Sequence, residues 1–289
     1  MLQTSPLAQI MAPDALPLGL GCSRLGSVNG ASGDEARALL HAALARGVRF
    51  FDTSNIYAQG DSERLLAEVL GKRDDCVICS KAGKYLDWKK QALVPLKGLL
   101  RNVARRSKQA SRGVAAARAK PMPTRWDGPF LSSSIDGSLR RLKRERIEMF
   151  MLHSPSADVV ARGEAVAALE AAQQAGKIGL IGVSVDDVAT AEAALGDPRV
   201  QALQLPLLPG ETEFDSVTQR AADAGVAVIA REILGGAQAI SGAMDPARYA
   251  ADRIAEMVRD PRVALPLVGT TRMVNLQASA DAAEVATKA

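Results

Sequence analysis

The feature that most restricts how this chain can fold is an alternation. Short apolar runs occupy residues 16–21, 48–51, 76–80, 147–152, 178–183, 200–205, 226–230 and 263–268. Stretches of helical periodicity separate them. Gly33, Asp34 and Glu35 open the first, which carries Ala36, Leu39, Leu40, Ala43 and Leu44 on one face before Gly47 ends it. Others cover residues 62–70, 132–143, 163–175, 188–194, 215–224 and 247–258, with a last one from Thr271 onward. Strands that are apolar throughout, rather than at alternate positions, are buried on both faces, as parallel strands joined by crossover helices are. Eight strand-helix units recurring about every 30 residues, with one long interval after the third, predict a closed (β/α)8 barrel. One such domain accounts for residues 1–289.

Apolar residues make up 47% of the chain, enough for a large core, and no unbroken apolar run is long enough to span a bilayer. Residues 1–17 lack the basic start and apolar stretch of a secretory signal, and three cysteines are too few for a disulfide framework. A soluble cytoplasmic protein is therefore expected, monomeric or weakly associating. Cys76 and Cys79 match a CxxC spacing, but positions three apart in a strand face opposite sides, so both are expected as plain buried thiols. His41 falls mid-helix and reads as structural.

Barrel enzymes keep their chemistry where strands end. Asp52 follows the second run directly, with Tyr57 five residues on in the loop; Lys81 follows the third; His153 follows the fourth. A phenol with an ordinary pKa of about 10 needs a nearby cation to exchange a proton near neutrality, and Lys81 is placed to supply one. Asp52 would hold Lys81 charged, and His153 would hydrogen-bond a substrate oxygen. Each residue alone has an ordinary explanation as helix cap, packing aromatic, surface charge or satisfied core histidine. Their coincidence at three successive strand ends points instead to hydride transfer at a carbonyl carbon. No metal-ligand cluster is expected.

The segments FFDTSNIYAQGDSE, CSK, IEMFMLHSP, IGVS and PLVGTTR occur in the order and spacing of the aldo-keto reductases, which the chain resembles over nearly its whole length. By that resemblance Asp52, Tyr57, Lys81 and His153 correspond to a catalytic tetrad, with NADP or NAD bound without a Rossmann fold. Ser184 and Gln204 match residues that hold the carboxamide, although Val185 stands where an Asn commonly follows. Arg231 occupies the place of an aromatic that lies against the nicotinamide; a guanidinium could stack there, or form an ion pair with a neighbouring acid. Gly269, Thr270, Thr271 and Arg272 precede the last helix, where amides and hydroxyls favour a phosphate, and Arg272 is placed for the 2′-phosphate of NADP. Asn275 and Ser279 replace an arginine and an asparagine usual in the family. The opening LGLGCSRLGS and the long third interval resemble the sugar and pyridoxal dehydrogenase branch.

That interval, residues 82–129, carries twelve Lys and Arg against Asp87 and Asp127, a net of +10 in a chain whose total is +4. Leu93, Leu96, Leu100 and Val103 share one helical face and Lys97, Arg101, Arg105, Lys108 and Arg112 another, which predicts a basic amphipathic helix. It is expected to form a lid, with Trp88 or Trp126 walling the pocket, or a docking surface for something anionic, against the plain alternative of a solvated, partly disordered insert; nucleic acid is not expected, because the tryptophans do not interleave with the basic face. The partner expected is a small carbonyl or alcohol substrate, with no stable membrane insertion. A cofactor-binding regulatory subunit is the competing expectation.

Overall fold

The computed structural model describes residues 5–27, 30–86 and 122–288. The expected amphipathic helix, Trp88 and most of the basic interval lie outside the described residues. Eight parallel strands close into a barrel in sequence order: β1 (Gly19–Gly21), β2 (Phe50–Asp52), β3 (Val77–Ala82), β4 (Ile147–His153), β5 (Ile178–Ser184), β6 (Ala202–Pro206), β7 (Ala227–Arg231) and β8 (Leu265–Val268), with β1 pairing to both β2 and β8. The (β/α)8 expectation is met.

The helices among the described residues are α1 (Pro6–Ile10), α2 (Gly33–Ala45), α3 (Asp61–Leu70), α4 (Gly128–Leu142), α5 (Ala157–Ala161), α6 (Glu164–Gln174), α7 (Val188–Leu195), α8 (Asp215–Asp223), α9 (Gly236–Gly242), α10 (Pro246–Arg259) and α11 (Met273–Lys288). α2 starts where Ser32 and Glu35 cap each other reciprocally. α4 begins four residues before the expected start, because Asp127 accepts from the Phe130 amide and Pro129 suits the first turn. Several strands are shorter than their apolar runs, β1 and β8 most of all: Leu16, Leu18 and Val263 are apolar because they pack below or outside the barrel, not because they pair in it.

Two layers of core follow from the period of two in a strand. Phe51, Ile78, Phe150, Leu152, Ile181, Val183, Leu203 and Val228 face outward and pack with α2, α3, α4, α6, α7 and α8. Phe50, Val77, Cys79, Met149, Met151, Leu180, Ala202, Ala227, Ile229, Leu265 and Leu267 fill the barrel. Cys76 belongs to the outer layer and Cys79 to the inner, so the CxxC spacing joins two buried free thiols on opposite faces. α1 was not foreseen. It places Leu7 against Phe50 and Val77, which begin their strands, and so plugs the amino end of the barrel. The carboxyl end is left for chemistry.

Candidate active site

The parity that fills the barrel also aims its rim. Asp52 lies two residues beyond inward Phe50, Lys81 two beyond Cys79, His153 two beyond Met151, Gln204 two beyond Ala202, and Ser184 and Arg231 four beyond Leu180 and Ala227. Register brings them level, since Asp52 pairs with Cys79, His153 with Ser184, and Ser184 with Gln204. All six side chains therefore converge on the carboxyl end.

Lys81 is fully buried and its ammonium donates to Asp52 Oδ1, and to the Thr53 carbonyl at 3.0 Å. Burial works against that charge, but Asp52, with Tyr57 and Cys79 behind it, outweighs burial and raises the Lys81 pKa. Gln204 Nε2 donates to the same Asp52 oxygen at 2.8 Å, and Ser184 Oγ donates to Gln204 Oε1 at 2.9 Å. The chain Ser184, Gln204, Asp52, Lys81 crosses the barrel as one network.

Tyr57 enters from a tight turn, Tyr57–Gly60, in which Ala58, Gln59 and Gly60 all have left-handed backbone, φ 51°, 59° and 86°. Such a run costs strain and needs external support. Just past the turn Glu63, buried at the start of α3, accepts from Ser80 Oγ at 2.7 Å and from Arg141 Nε at 2.5 Å, and the Arg141 side chain packs against Gly60. The Tyr57 ring meets His153 edge to face at 5.7 Å and lies 5.4 Å from Lys81 Nζ. Lys81 pulls the phenol pKa down as expected, yet burial outweighs it and the net shift is upward. Lys81 thus acts in the expected direction without setting the net one, and the Tyr57 hydroxyl is protonated at neutral pH.

His153 Nδ1 is 3.1 Å from Ser54 Oγ, a buried hydroxyl that the sequence did not single out. Burial, followed by Lys81, Lys84 and Arg231, drives the imidazole pKa well below its usual value, so the ring is neutral. His41, by contrast, is exposed on α2.

A cavity of about 680 Å³ opens above these groups. Asp52, Tyr57, His153, Ser184, Gln204, Arg231, Gly269, Thr270, Thr271, Arg272 and Asn275 all line it; Lys81 lies beneath its floor and Ser279 is buried on α11 away from it. Lys84, Ser154, Asp186 and Glu232 line it too, unforeseen, though each follows a strand end closely. Ser154 and Glu232 have φ of 55° and 59°, a second pair of left-handed residues at the rim. Arg231 takes the ion-pair alternative: its guanidinium donates to Asp186 at 2.5 Å, to the Val185 carbonyl at 2.7 Å and to Glu232. At the far end the Thr270 hydroxyl accepts from the Arg272 amide at 3.1 Å, and the Arg272 guanidinium has no ion pair among the described residues.

The sequence profile of the aldo/keto reductase family matches residues 17–288. The chain belongs to the aldo/keto reductase family. It is 30% identical over 195 residues to a 6-dehydroglucose reductase of Novosphingobium aromaticivorans, a match that covers 63% of this chain and 52% of that protein. The chain thus spans about half the length of such relatives. The holo form of an aldo-keto reductase from Bacillus halodurans superposes with a TM-score of 0.72 at 18% identity, over 93% of this chain and 86% of that one. An aldo/keto reductase from Klebsiella pneumoniae, in complex with NADP and acetate, gives 0.65 at 20% identity over the same shares. Both share the barrel. As an aldo/keto reductase the chain would take a dinucleotide, and its cavity fits one: it runs from Tyr57 and His153 to the start of α11, where it is lined by the Thr270 hydroxyl turn, by Arg272, whose guanidinium has no ion pair among the described residues, and by Gly269, beside which a Cβ would find open space.

Proposed function

We propose that this aldo/keto reductase interconverts a carbonyl and an alcohol, using NADP or NAD. The observation that carries the proposal is the fully buried Lys81 ammonium, paired with Asp52 and 5.4 Å from the ring of a tyrosine that lines the same cavity as His153. A buried cation paired in this way is costly to assemble, and proton transfer at Tyr57 gives it a use.

Ser184, Gln204 and Arg231 would hold the nicotinamide end, and Thr270, Thr271, Arg272 and Asn275 the phosphate end. Bound there, the cofactor supplies or accepts the hydride. Tyr57 donates its proton to the carbonyl oxygen in reduction and recovers it from the alcohol in oxidation. Lys81 stabilises the phenolate that results, and Asp52 keeps Lys81 charged. With Nδ1 paired to the Ser54 hydroxyl, neutral His153 in the tautomer that carries its proton on Nε2 donates to the same substrate oxygen. Arg272, free of ion pairs among the described residues, favours NADP through the 2′-phosphate. The sugar-acting relative supports aldoses or oxidised sugars as the substrate class. Three buried free thiols suit a reducing cytoplasm.

The test is carbonyl-dependent loss of the nicotinamide absorbance band with NADPH and NADH, over aldehydes, aldoses and pyridoxal, and the reverse with the alcohols. Cofactor binding with no turnover on any of them would favour a regulatory, cofactor-sensing protein instead.

A further inference from the structure

Lys84 lines the cavity that holds Tyr57 and His153, half-buried, yet takes no part in the proton chemistry. Its backbone is clipped at the rim. Lys84 pairs antiparallel with Thr124, the Tyr85 amide donates to the Pro123 carbonyl at 3.0 Å, and the Arg125 amide donates to the Gly83 carbonyl at 2.8 Å. From the other side Asn55 Nδ2 donates to the Lys84 carbonyl at 3.4 Å. Trp126 lies so close against Gly83 that a Cβ there would fall 2.0 Å from the indole, and Gly83 has a φ of 118° that suits glycine alone. The segment is held in place, and the Lys84 side chain is delivered to the cavity.

The acids that share the cavity are engaged elsewhere. Asp52 accepts from Lys81 and Gln204, while Asp186 and Glu232 accept from Arg231. Among the described residues the Lys84 ammonium has neither an ion pair nor a hydrogen bond. Burial lowers its pKa; Asp186 opposes the shift, while Arg231 and Lys81 reinforce it. A half-buried cation without a partner among the described residues gains most from a ligand that brings an anion.

We propose that Lys84 is a substrate-binding residue that receives the carboxylate or phosphate of an anionic carbonyl substrate whose reacting oxygen lies at Tyr57 and His153. The substrate class is then a sugar acid or sugar phosphate rather than a neutral aldose. This rests on the carbonyl-oxidoreductase reading for where the reacting oxygen sits, and the anion contact itself can be measured without turnover.

Binding is followed by calorimetry with three polyols that carry no aldehyde or ketone: D-glucitol, D-gluconate and D-glucitol 6-phosphate. The expected result is at least ten-fold tighter binding of one or both anions than of glucitol. The ratio should collapse to within about two-fold in Lys84→Met and return in Lys84→Arg, with melting curves confirming that both variants fold. The carboxylate and phosphate arms tell which anion is meant. Equal binding of the three polyols, or an anion preference that survives Lys84→Met, overturns the proposal. Turnover of D-glucuronate against D-glucose is measured in parallel; absence of turnover alongside Lys84-dependent anion binding would refute the proposed reaction while leaving the anion site standing.

Discussion

Replacing Lys81 by Met isolates the energetic role of the buried pair. The substitution preserves most of the side-chain volume but removes the ammonium, leaving the Asp52 carboxylate 6% exposed with Gln204 and the Cys79 thiol as its remaining side-chain partners among the described residues. Removing one partner of a buried ion pair costs about 3–5 kcal/mol. With an unfolding entropy of about 2.1 cal/mol/K per residue, a chain of 289 residues loses about 0.6 kcal/mol of stability per degree near its midpoint, so the melting temperature should fall by roughly 5–8 °C. Adding Asp52→Asn removes the stranded charge while keeping an acceptor for Gln204. The double variant should therefore recover most of the loss, although both are expected to be inactive. Scanning calorimetry of parent, single and double variants is the assay. A single variant within about 2 °C of the parent, or a double variant less stable than the single, would refute the account of Lys81 as compensator of a buried charge. The parent's dependence on alkaline pH adds a check. Because the folded Lys81 pKa is raised, its stabilisation is whole below the unfolded value of about 10.4 and disappears as pH climbs through the folded one.

Tyr57→Phe should remove turnover by about a hundred-fold or more while leaving dinucleotide affinity within a few-fold, as stopped-flow binding and steady-state kinetics would read; near-parental turnover would dismiss Tyr57 as the proton donor. Arg272→Ala should weaken NADP about ten-fold more than NAD in fluorescence titrations, and equal losses would move Arg272 off the 2′-phosphate. His153 is held neutral, its folded pKa lying below the unfolded value of about 6.5. The unfolded chain therefore takes up its proton first, and stability should decline as pH falls below about 6.5; a His153→Gln variant should show a shallower acid slope in denaturant titrations from pH 7 to 5.

Much of this was legible before any coordinates. Continuous apolar runs separated by helical periodicity announce a parallel barrel, and Asp52, Lys81 and His153 are readable because strand parity and strand ends are properties of sequence. Other features depend on contacts between distant segments. Ser54 looks like any loop serine until β4 brings His153 beside it. The upward shift of Tyr57 arises from burial under the assembled rim, which no spacing reports. Arg231 could equally have stacked or paired, and the position of Asp186 after β5 decided for the pair. α1 was hidden for another reason: five residues are too few to show a helical period, and Leu7 gains its place only when the barrel mouth exists to receive it.

The seam between β1 and β8 is held by two register pairs, against six between β4 and β5. β7 likewise shares only two register pairs with β8, so β8 is the strand least tied to its neighbours, and the loop that leaves it carries Gly269 to Arg272 along one end of the cavity. Few shared hydrogen bonds make local opening cheap, so that end of the rim is the part that can part first, while Lys81 and His153 sit on the longer pairings of β3, β4 and β5.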